Sequence, residues 1–357
     1  MRFEVWMRDE QRKFRRRLLA WYACHRRDLP WRASLDPYRV WISEIMLQQT
    51  RVAAVIEHYR EFLRRFPTVE KLAAAREASV LAAWSGLGYY RRARMMHAAA
   101  RVIVREHGGK FPASEEGLRE LPGVGRYTAA AIASIAFGEP VAVVDGNVER
   151  VLQRLAGKRL AGEDLWTAAN HLLDAKRSGD FNQAMMELGA VVCTPRAPGC
   201  LTCPVLELCA MRGEFPTQTK AARQKKREIH YALDCRNGDC RNGEVFLVRR
   251  ARDASLMPGM WELPEVRADG LSHAEKQVPP ARFASRRNDN ENGRANGTST
   301  SPSFTLRHSI TETDYAVRVW RGPALSRDFG NWIAVKRLGK VALTGLARKI
   351  LRKAAML

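Results

Sequence analysis

The stretch that most constrains this chain is residues 121–137, LPGVGRYTAAAIASIAF, which joins a glycine turn to a helix. Pro122 and Gly123 end one helix, and Gly125 allows a backbone conformation with positive φ. The helix that starts at Arg126 is rich in alanine, which allows close packing. Backbone N–H groups at a helix N-terminus point outward, so the turn is a candidate phosphate site. A corner between two packed helices is the alternative interpretation.

The charge balance narrows the class of partner. The chain has 357 residues, enough for two domains, with 60 Lys and Arg against 38 Asp and Glu, a net charge of +22. A polyanion such as nucleic acid is the expected partner. No apolar run approaches the roughly 20 residues of a membrane span, and the first residues do not resemble a signal peptide. We therefore expect no membrane partner and a cytoplasmic location, at the nucleoid when the protein is bound to DNA.

The first part of the chain has helical periodicity throughout. Asp36 and Pro37 open a long amphipathic pattern over residues 38–66, which predicts one continuous helix. Other helices are predicted over residues 9–24, 69–75, 77–85, 90–107, 162–176 and 181–192. The prediction is a mostly α-helical N-terminal part with short loops.

Glu44 lies between Val40 and Leu47 on the long predicted helix, in partly apolar surroundings. Such a carboxyl has a raised pKa and holds a proton near neutral pH, although a surface glutamate is the commoner case. Gln48 and Gln49 follow, and their long uncharged side chains could hydrogen-bond to base edges or fill a gap in a base stack. A solvated helix end is the alternative for this pair.

Two further patterns indicate chemistry. Tyr89 lies in GLGYYRRARMM, residues 86–96, where aromatic rings that can stack on bases stand beside arginines that can bind phosphates. The alternative is that the tyrosines lie in the core and the arginines in solvent.

Four cysteines further along the chain have the spacing C-x6-C-x2-C-x5-C, a metal-site pattern in a cytosolic chain. Only one close pair is present, which favours a [4Fe–4S] cluster over zinc. The four are Cys193, Cys200, Cys203 and Cys209.

The composition changes after Arg212. Residues 215–229 are polar and basic and predict a linker. Short strand patterns over 231–235, 244–249 and 315–320 and a terminal helix predict an α+β domain over 230–357. Residues 282–303 are poor in apolar side chains and predict a disordered loop. Cys235 and Cys240 flank a turn and have no metal-ligand spacing.

Together WISEIMLQQTRV, GLGYYRRAR, LPGVGRYTAAAIASIAF, VAVVDGNVERVL and the four-cysteine spacing resemble adenine DNA glycosylases of the MutY type. These enzymes belong to the helix-hairpin-helix DNA repair superfamily. The resemblance covers the chain nearly end to end. It implies a helix-hairpin-helix glycosylase fold with a cluster loop over 1–214 and a Nudix-like lesion-recognition domain over 230–357. It also implies a monomer that acts on A:8-oxoguanine or A:G mispairs in double-stranded DNA.

The resemblance assigns roles to individual residues. It implies that Glu44 protonates adenine at N7 and later handles the attacking water. It implies that Asp145 stabilises the sugar cation or transiently bonds to it, with help from Tyr127 and Asn147. It places Arg27, Trp31, Leu47 and Gln183 in the adenine pocket. It implies contacts with DNA by Gln48, Gln49, Tyr89, Leu121, Gly123, Val124 and Gly125. It implies that the four cysteines bind a [4Fe–4S] cluster.

Two details of the resemblance affect the expected reaction. Relatives similar to endonuclease III carry a lysine at the position of Tyr127, where its amine forms a Schiff base and cuts the strand. Tyrosine implies an intact abasic product. The family's Phe-Ser-His loop, which contacts 8-oxoguanine, corresponds to residues 308–315, so that Ile310, Thr311 and Glu312 take its place. His308, Ser309 and Thr311 are therefore the expected lesion contacts.

Two other functions compete with adenine excision. A glycosylase for thymine in a mismatch is the first, and the Nudix-like segment RRARDASLMPGMWELPE, residues 249–265, argues against it. A DNA-binding iron–sulfur protein without catalysis is the second, and the presence of both Glu44 and Asp145 argues against it. The segment lacks the glutamate cluster of Nudix hydrolases, so we expect a recognition module there.

Overall fold

Phe14, Leu18 and Tyr22 recur at helical spacing, and the first helix buries all three. The computed structural model describes residues 8–215, 225–237, 240–251, 253–254, 257–266, 302–310, 313–324, 327 and 330–357. The chain divides into two units, Met1–Thr219 and Lys220–Leu357. No helix among the described residues is long and apolar enough to cross a membrane.

The described part of the first unit is helical, as predicted. Its helices are α1 (Arg8–His25), α2 (Pro37–Leu47), α3 (Val52–Arg65), α4 (Val69–Ala73), α5 (Glu77–Trp84), α6 (Arg91–His107), α7 (Glu115–Arg119), α8 (Arg126–Phe137), α9 (Gly146–Ala156), α10 (Glu163–Leu172) and α11 (Ser178–Val191). One core cluster joins apolar residues of α1, α9, α10 and α11. The consecutive alanines of α8, residues 129–131, are buried, as close packing requires.

The prediction of one helix over residues 38–66 is wrong. The chain forms α2 and α3, separated by a break at residues 48–51. Gln49 has a φ of 54°, a left-handed conformation that a right-handed helix does not continue through. Gln48 and Gln49 therefore lie in a loop at the end of α2. Apolar periodicity continues across the break, so it did not reveal the break.

Helix α9 was not predicted. Asp145 caps its N-terminus, and Val148, Val151, Leu152 and Leu155 form its buried side. A capping aspartate followed by this spacing is a helix signal in the sequence. The consequence is that Asp145 stands at a helix N-terminus and not in an open loop.

The second unit contains two sheets and a terminal helix. Its strands are β1 (Lys225–Leu233), β2 (Cys235–Arg236), β3 (Glu244–Arg249), β4 (Trp261–Glu262), β5 (Glu265–Val266), β6 (Phe304–Ile310), β7 (Thr313–Arg321) and β8 (Gly330–Ala334). One sheet has the order β5-β1-β7-β6, with β1 and β7 parallel and β6 and β7 antiparallel. The other joins β2, β3 and β4, and β8 pairs with β3. Helix α12 (Gly345–Lys353) buries Leu346, Ile350 and Leu351 in a core cluster of this unit, together with apolar residues of β1, β3 and β7. The α+β class is confirmed.

This unit differs from the predictions at the linker and at Cys235 and Cys240, and its predicted disordered loop lies mostly outside the described residues. The linker predicted over residues 215–229 is too long, because β1 begins at Lys225 and pairs with β7. Residues 282–301, most of the predicted disordered loop, lie outside the described residues. Cys235 and Cys240 form a disulfide, which the sequence did not indicate.

Candidate active site

A cavity of about 570 Å³ lies in the first unit between α2, α8, α9, α11 and the segment that follows α1. This volume is in the range of small-molecule sites, about 300–1,000 Å³. All eight residues predicted as catalytic or adenine-binding line it: Glu44, Asp145, Tyr127, Asn147, Arg27, Trp31, Leu47 and Gln183. The first and the last of them, Arg27 and Gln183, are more than 150 residues apart in the sequence, and the fold brings all eight together.

Glu44 is buried on α2, with 5% of its surface exposed. Burial raises the pKa of Glu44 to about 7; the hydrogen bond from Tyr127 opposes this shift and the charge of Asp145 adds to it. The Tyr127 hydroxyl donates to Glu44 Oε2 at 2.6 Å. Among the described residues nothing hydrogen-bonds Glu44 Oε1. The proton of the neutral acid therefore belongs on Oε1, where it is available to a ligand.

Tyr127 is the second residue of α8 and stands immediately beyond the glycine turn. Burial, with the negative charges of Glu44 and Asp145, raises the pKa of the Tyr127 phenol well above its ordinary value. Its hydroxyl therefore stays protonated and acts as the donor to Glu44. The same hydroxyl contacts Met186 Sδ on α11 at 3.6 Å.

Asp145 caps α9 and uses both carboxylate oxygens. Oδ1 accepts from the backbone N–H of Asn147 at 2.9 Å and of Val148 at 2.7 Å, and Oδ2 accepts from Asn147 Nδ2 at 2.9 Å. All three contacts use the carboxylate as an acceptor, as its ionised form does. The positive end of the α9 dipole also favours a negative charge here.

The orientation of Asn147 is set from its far side. Arg150 donates through Nη2 to Asn147 Oδ1 at 2.8 Å and to Gly189 O at 2.6 Å, and through Nε to Cys193 O at 2.7 Å. Because Oδ1 is engaged, Asn147 Nδ2 faces Asp145. A Cβ at Gly189 would lie 2.6 Å from Asn147 Cβ, so only glycine allows α11 to approach α9 this closely.

Glu187 was not predicted from the sequence, yet it is the buried carboxylate at the other side of the cavity. Arg27 donates to it through Nε at 2.8 Å and Nη2 at 2.7 Å, and Arg32 through Nη2 at 2.8 Å. Burial alone raises the pKa of Glu187, but the hydrogen bonds from both arginines lower it to about 2. Glu187 lies four residues after Gln183, so helical spacing already places both on one face of α11.

We expect Glu187→Gln to destabilise the fold by about 3 kcal/mol, because two partly buried arginines lose their carboxylate. The ionised form of Glu187 stabilises the fold above the unfolded pKa of about 4.3, and this contribution disappears as the pH falls through about 2. Urea unfolding at pH 7 measures the loss. Glu207→Gln is the control, because exposed Glu207 pairs with Lys13 and Arg17 in solvent. Equal stability of the two variants would contradict the prediction.

The remaining pocket residues are held by neighbours outside the cavity. Tyr22 donates its hydroxyl to Gln183 Oε1 at 3.2 Å, which leaves the Gln183 amide N–H groups for a ligand. Trp31 is buried with its ring edge-on to Tyr59, at 5.6 Å between centroids. Leu47 is the last residue of α2.

The predicted base-stack residues lie beside the end of α2. Gln48 and Gln49 line the first cavity and also a second one of about 360 Å³, which Tyr89 lines too. Gln48 Nε2 donates to Thr128 Oγ1 at 3.2 Å. Tyr89 is 50% exposed and, like Gln49, has a left-handed backbone, with a φ of 47°.

The glycine turn uses the conformational freedom of only one of its two glycines. Gly125, which could adopt a positive φ, is extended with a φ of −90°, and Gly123 has the positive φ of 76°. A Cβ at Gly123 would lie 2.5 Å from Met95 Cβ, so both conformation and space require glycine there. Leu121 and Val124 are buried and anchor the turn. Nothing lies within 4 Å of the place where a Gly125 Cβ would stand, at the N-cap of α8.

The four clustered cysteines lie in the loop after α11, all as partly buried free thiols. Burial raises the pKa of the Cys203 thiol to about 11; a backbone hydrogen bond at Val205 opposes this, and the charges of the other three cysteines raise it further. Arg154 Nη1 donates to Cys193 Sγ at 3.3 Å. In the described ranges, no group of three or more His, Cys, Asp or Glu is arranged to hold a metal ion.

The predicted lesion contacts belong to the second unit. His308 and Ser309 lie on β6, opposite Tyr315 and Asp314 of β7. Ser309 Oγ donates to Asp314 Oδ1 at 2.5 Å. Burial, and then the charge of Lys349, lower the pKa of His308, so it is neutral at pH 7. Thr311, with Glu312, lies outside the described residues.

The cavity thus combines Glu44, whose pKa is raised to about 7, with Asp145, whose carboxylate accepts from three N–H groups. Glu44 can give a proton to a leaving group, while Asp145 can stabilise a positive charge that forms as the bond breaks. Two carboxyl groups with such different surroundings are the arrangement used to break glycosidic bonds.

Comparison with known proteins agrees with this chemistry. Residues 42–163 match the family model of the HhH-GPD superfamily base excision DNA repair proteins. The adenine DNA glycosylase of Homo sapiens is 50% identical over 214 residues, which are 56% of this chain and 39% of the human protein. That of Schizosaccharomyces pombe is 31% identical over 322 residues, 72% of this chain and 70% of the yeast protein. The chain therefore spans well under two thirds of the human relative.

A solved structure also matches the first unit. It is described as a thermostable thymine-DNA glycosylase, with 32% identity and a TM-score of 0.54, and the match covers 57% of this chain and 97% of that one. This similarity confirms the predicted helix-hairpin-helix glycosylase fold.

Proposed function

The chain belongs to the adenine DNA glycosylases of the HhH-GPD superfamily, and we propose that it hydrolyses the N-glycosidic bond of adenine mispaired with 8-oxoguanine or guanine in duplex DNA. The observation that carries the proposal is the pairing of Glu44, an acid whose pKa is about 7, with Asp145, a carboxylate held by three N–H groups. The product is an abasic site in an intact strand.

The first step is protonation of the leaving base. Glu44 donates the proton on Oε1 to adenine N7, while Tyr127 holds Oε2 and keeps the carboxyl in place. Protonation makes adenine a better leaving group, so the glycosidic bond breaks with positive charge on the sugar. Asp145 faces that charge, and the hydrogen bonds from α9 keep its carboxylate fixed. Glu44, now ionised, accepts the proton of the attacking water.

Base recognition uses the opposite wall of the cavity. Gln183 presents its amide N–H groups to an acceptor on the adenine edge, because Tyr22 occupies its oxygen. Arg27 is held by Glu187, and Trp31 and Leu47 supply apolar surface for the ring. An adenine reaches this cavity only after it leaves the duplex, and Gln49 and Tyr89 are positioned to fill the space that it vacates.

Strand cleavage is not expected. A bifunctional glycosylase needs an amine that attacks the sugar, and no lysine is among the described residues that line the cavity. Tyr127 stands at the hairpin position where relatives similar to endonuclease III carry that lysine. The glycine turn, with Leu121, Gly123, Val124 and Gly125, takes a phosphate of the same strand at the N-terminus of α8.

Discrimination between 8-oxoguanine and guanine is assigned to the second unit. Ile310, Thr311 and Glu312 take the place of the family's Phe-Ser-His loop, and His308 and Ser309 precede them on β6. A neutral His308 and the Ser309 hydroxyl offer hydrogen-bonding groups that can be buried against a base without desolvating a charge. The chain acts as a monomer in this proposal.

We propose that Cys193, Cys200, Cys203 and Cys209 would hold a [4Fe–4S] cluster once their side chains turn toward one centre, since the described side chains are not arranged as a metal site. The chemistry of the donor set fits such a cluster, because all four thiols lie in one loop and the buried Arg154 donates to Cys193 Sγ. A cluster with four thiolates is negative, which balances that arginine. When bound, the cluster cross-links the loop and offers a one-electron couple.

The cofactor is tested on the purified protein. We expect a brown protein with broad visible absorption and equal amounts of iron and acid-labile sulfide. Cys203→Ser lowers both, whereas Cys24→Ser does not, because Cys24 is an exposed thiol outside the loop. A colourless protein that contains zinc would refute the cluster.

The activity is tested with three duplexes that carry A:8-oxoguanine, A:G or T:G, each incubated with the iron-replete protein. We expect strand breaks in the two adenine duplexes only after heating in alkali, since the enzyme leaves an abasic site. Borohydride should trap no covalent adduct. The order expected is A:8-oxoguanine faster than A:G, with T:G uncut.

Other outcomes identify the competing functions. Cleavage of T:G in place of the adenine duplexes would support thymine excision, which the 32% identity to a thymine-DNA glycosylase favours. Binding without cleavage of any duplex would support a DNA-binding iron–sulfur protein.

A further inference from the structure

Arg92 is the arginine whose contacts the proposed reaction leaves unexplained. It is the second residue of α6 and lies behind the break between α2 and α3. Nη1 donates to three carbonyls at the end of α2: Ile45 O at 2.7 Å, Met46 O at 3.1 Å and Gln48 O at 2.5 Å. These carbonyls lack helical partners, since α2 ends at Leu47.

The other arm of the same guanidinium binds a second loop. Nη2 donates to Leu87 O at 3.1 Å, to Gly88 O at 3.3 Å and to Thr50 Oγ1 at 3.2 Å. The cation also lies over the rings of Trp84, at 5.2 Å, and Tyr89, at 5.6 Å. Arg92 therefore connects the loop that carries Gln49 to the loop that carries Tyr89.

Arg92 binds the carbonyl immediately before each left-handed residue. Gln48 O precedes Gln49, with a φ of 54°, and Gly88 O precedes Tyr89, with a φ of 47°. Residues other than glycine rarely adopt this backbone conformation, and it persists where surrounding contacts impose it. One rigid group supplies those contacts to both residues.

Among the described residues, no carboxylate pairs with the Arg92 guanidinium. All six acceptors are neutral, being five carbonyls and one hydroxyl. Burial lowers the pKa of Arg92 to about 10. Partial burial of an arginine without an ionic partner costs desolvation free energy. This indicates that the planar guanidinium, with its several donors, is needed here and not only its charge.

We propose that Arg92 is a positioning residue that holds Gln49 and Tyr89 together in the conformations needed to enter the duplex when the target base leaves it. The proposal rests on the proposed function. Arg92 lines the second cavity but not the first, so it acts on opening of the base pair and not on bond cleavage.

The test uses Arg92→Lys, which keeps the charge but loses the planar fork that spans two loops. Single-turnover excision is measured on a duplex with A:8-oxoguanine and on one in which the same adenine is an unpaired bulge. The bulged adenine is already unstacked and needs less help from inserted side chains. We expect the paired substrate to react about 10- to 100-fold more slowly, the usual cost of misplaced groups, and the bulged one less than about threefold.

Two controls complete the experiment. Arg105→Lys, an exposed site on the same helix, should leave both rates unchanged. Combining Arg92→Lys with Tyr89→Ala should add little to Tyr89→Ala alone, because both changes disturb the same insertion. If Arg92→Lys does not fold, as judged by its thermal transition, Arg92→Gln replaces it, because the amide keeps a planar donor without the buried charge.

The outcomes separate the two proposals. Wild-type protein that cleaves neither substrate would reject the proposed function. An active wild type whose variant slows both substrates equally, or neither, would reject the positioning role of Arg92 and leave the proposed function intact.

Discussion

Glu44→Gln is expected to slow adenine excision by at least about 10³-fold, because removal of a general acid costs 10²–10⁴ and here the same group also serves the attacking water. Glutamine keeps an oxygen that can accept from Tyr127, so the cavity should retain its shape. It has no proton of suitable acidity for adenine N7. Binding to A:8-oxoguanine duplex should change less than about threefold, since Glu44 contributes to the chemical step.

The pH dependence follows from the same carboxyl. The acid form of Glu44 has a pKa of about 7 and is the reactive one, so kcat/KM should fall about tenfold per pH unit above that value. A rate that rises through pH 7–9 would show that the ionised form of Glu44 starts the reaction.

The stability of the fold should also fall as the pH rises. Between pH 4.5 and 7 the unfolded chain ionises Glu44 while the folded chain keeps it protonated, so rising pH destabilises the wild type. Glu44→Gln removes this loss and should stabilise the fold by roughly 2–3 kcal/mol at pH 8, but not at pH 4. Thermal denaturation at both pH values measures it, with Glu57→Gln on the exposed side of α3 as control. A variant less stable at pH 8 would mean that Glu44 has a mainly structural role.

Asp145→Asn is the second change with a large expected effect, a loss of about 10³-fold in excision rate. The substitution removes the negative charge that faces the sugar cation. It also creates a conflict, since an amide N–H₂ in the place of Oδ2 would meet the Asn147 N–H₂ group. Asn147 cannot turn over without breaking its bond from Arg150. The expected result is a side chain that still caps α9 through its oxygen but repels the Asn147 amide, and a transition state that has lost its stabilising charge.

Helix capping by itself should survive this change, because asparagine is as good an N-cap as aspartate. Asp36→Asn is the matched control: Asp36 caps α2 through Arg39 N and is exposed. Both variants should melt within a few degrees of the wild type, and only Asp145→Asn should lose excision. Retained excision in Asp145→Asn, measured by single-turnover kinetics, would remove Asp145 from the catalytic role.

Short-range signals predicted well where one helix or turn decides the outcome. Glu44 was predicted to be partly buried from its place between Val40 and Leu47, and it is 5% exposed. The glycine turn was predicted in the right place, and Gly125 was expected to be free to adopt a positive φ. Gly123 adopts it instead, and Met95 of α6 leaves no room there for a Cβ. That neighbour is 28 positions away along the chain, which no local pattern records.

Contacts between distant segments account for the other differences. The break between α2 and α3 is held by Arg92, more than 40 residues further on. Glu187 is buried against Arg27 and Arg32, which lie at the opposite end of the first unit's sequence. A glutamate on an amphipathic helix is usually exposed, and only its partners show that this one is not.

The sequence by itself determined the helical class of the first unit and the α+β class of the second, because periodicity and composition carry that information. The resemblance of its motifs to one family placed Glu44, Tyr127 and Asp145 in one site. The tertiary structure decided how far the pKa of Glu44 is raised, the burial of Glu187 and the left-handed backbone of Gln49 and Tyr89. The physical reason is that burial, charge and hydrogen bonding at each of these groups come from side chains on other helices. The glycine turn depends on both sequence and tertiary structure, since its residues specify a turn and the packing of Met95 excludes any side chain at Gly123.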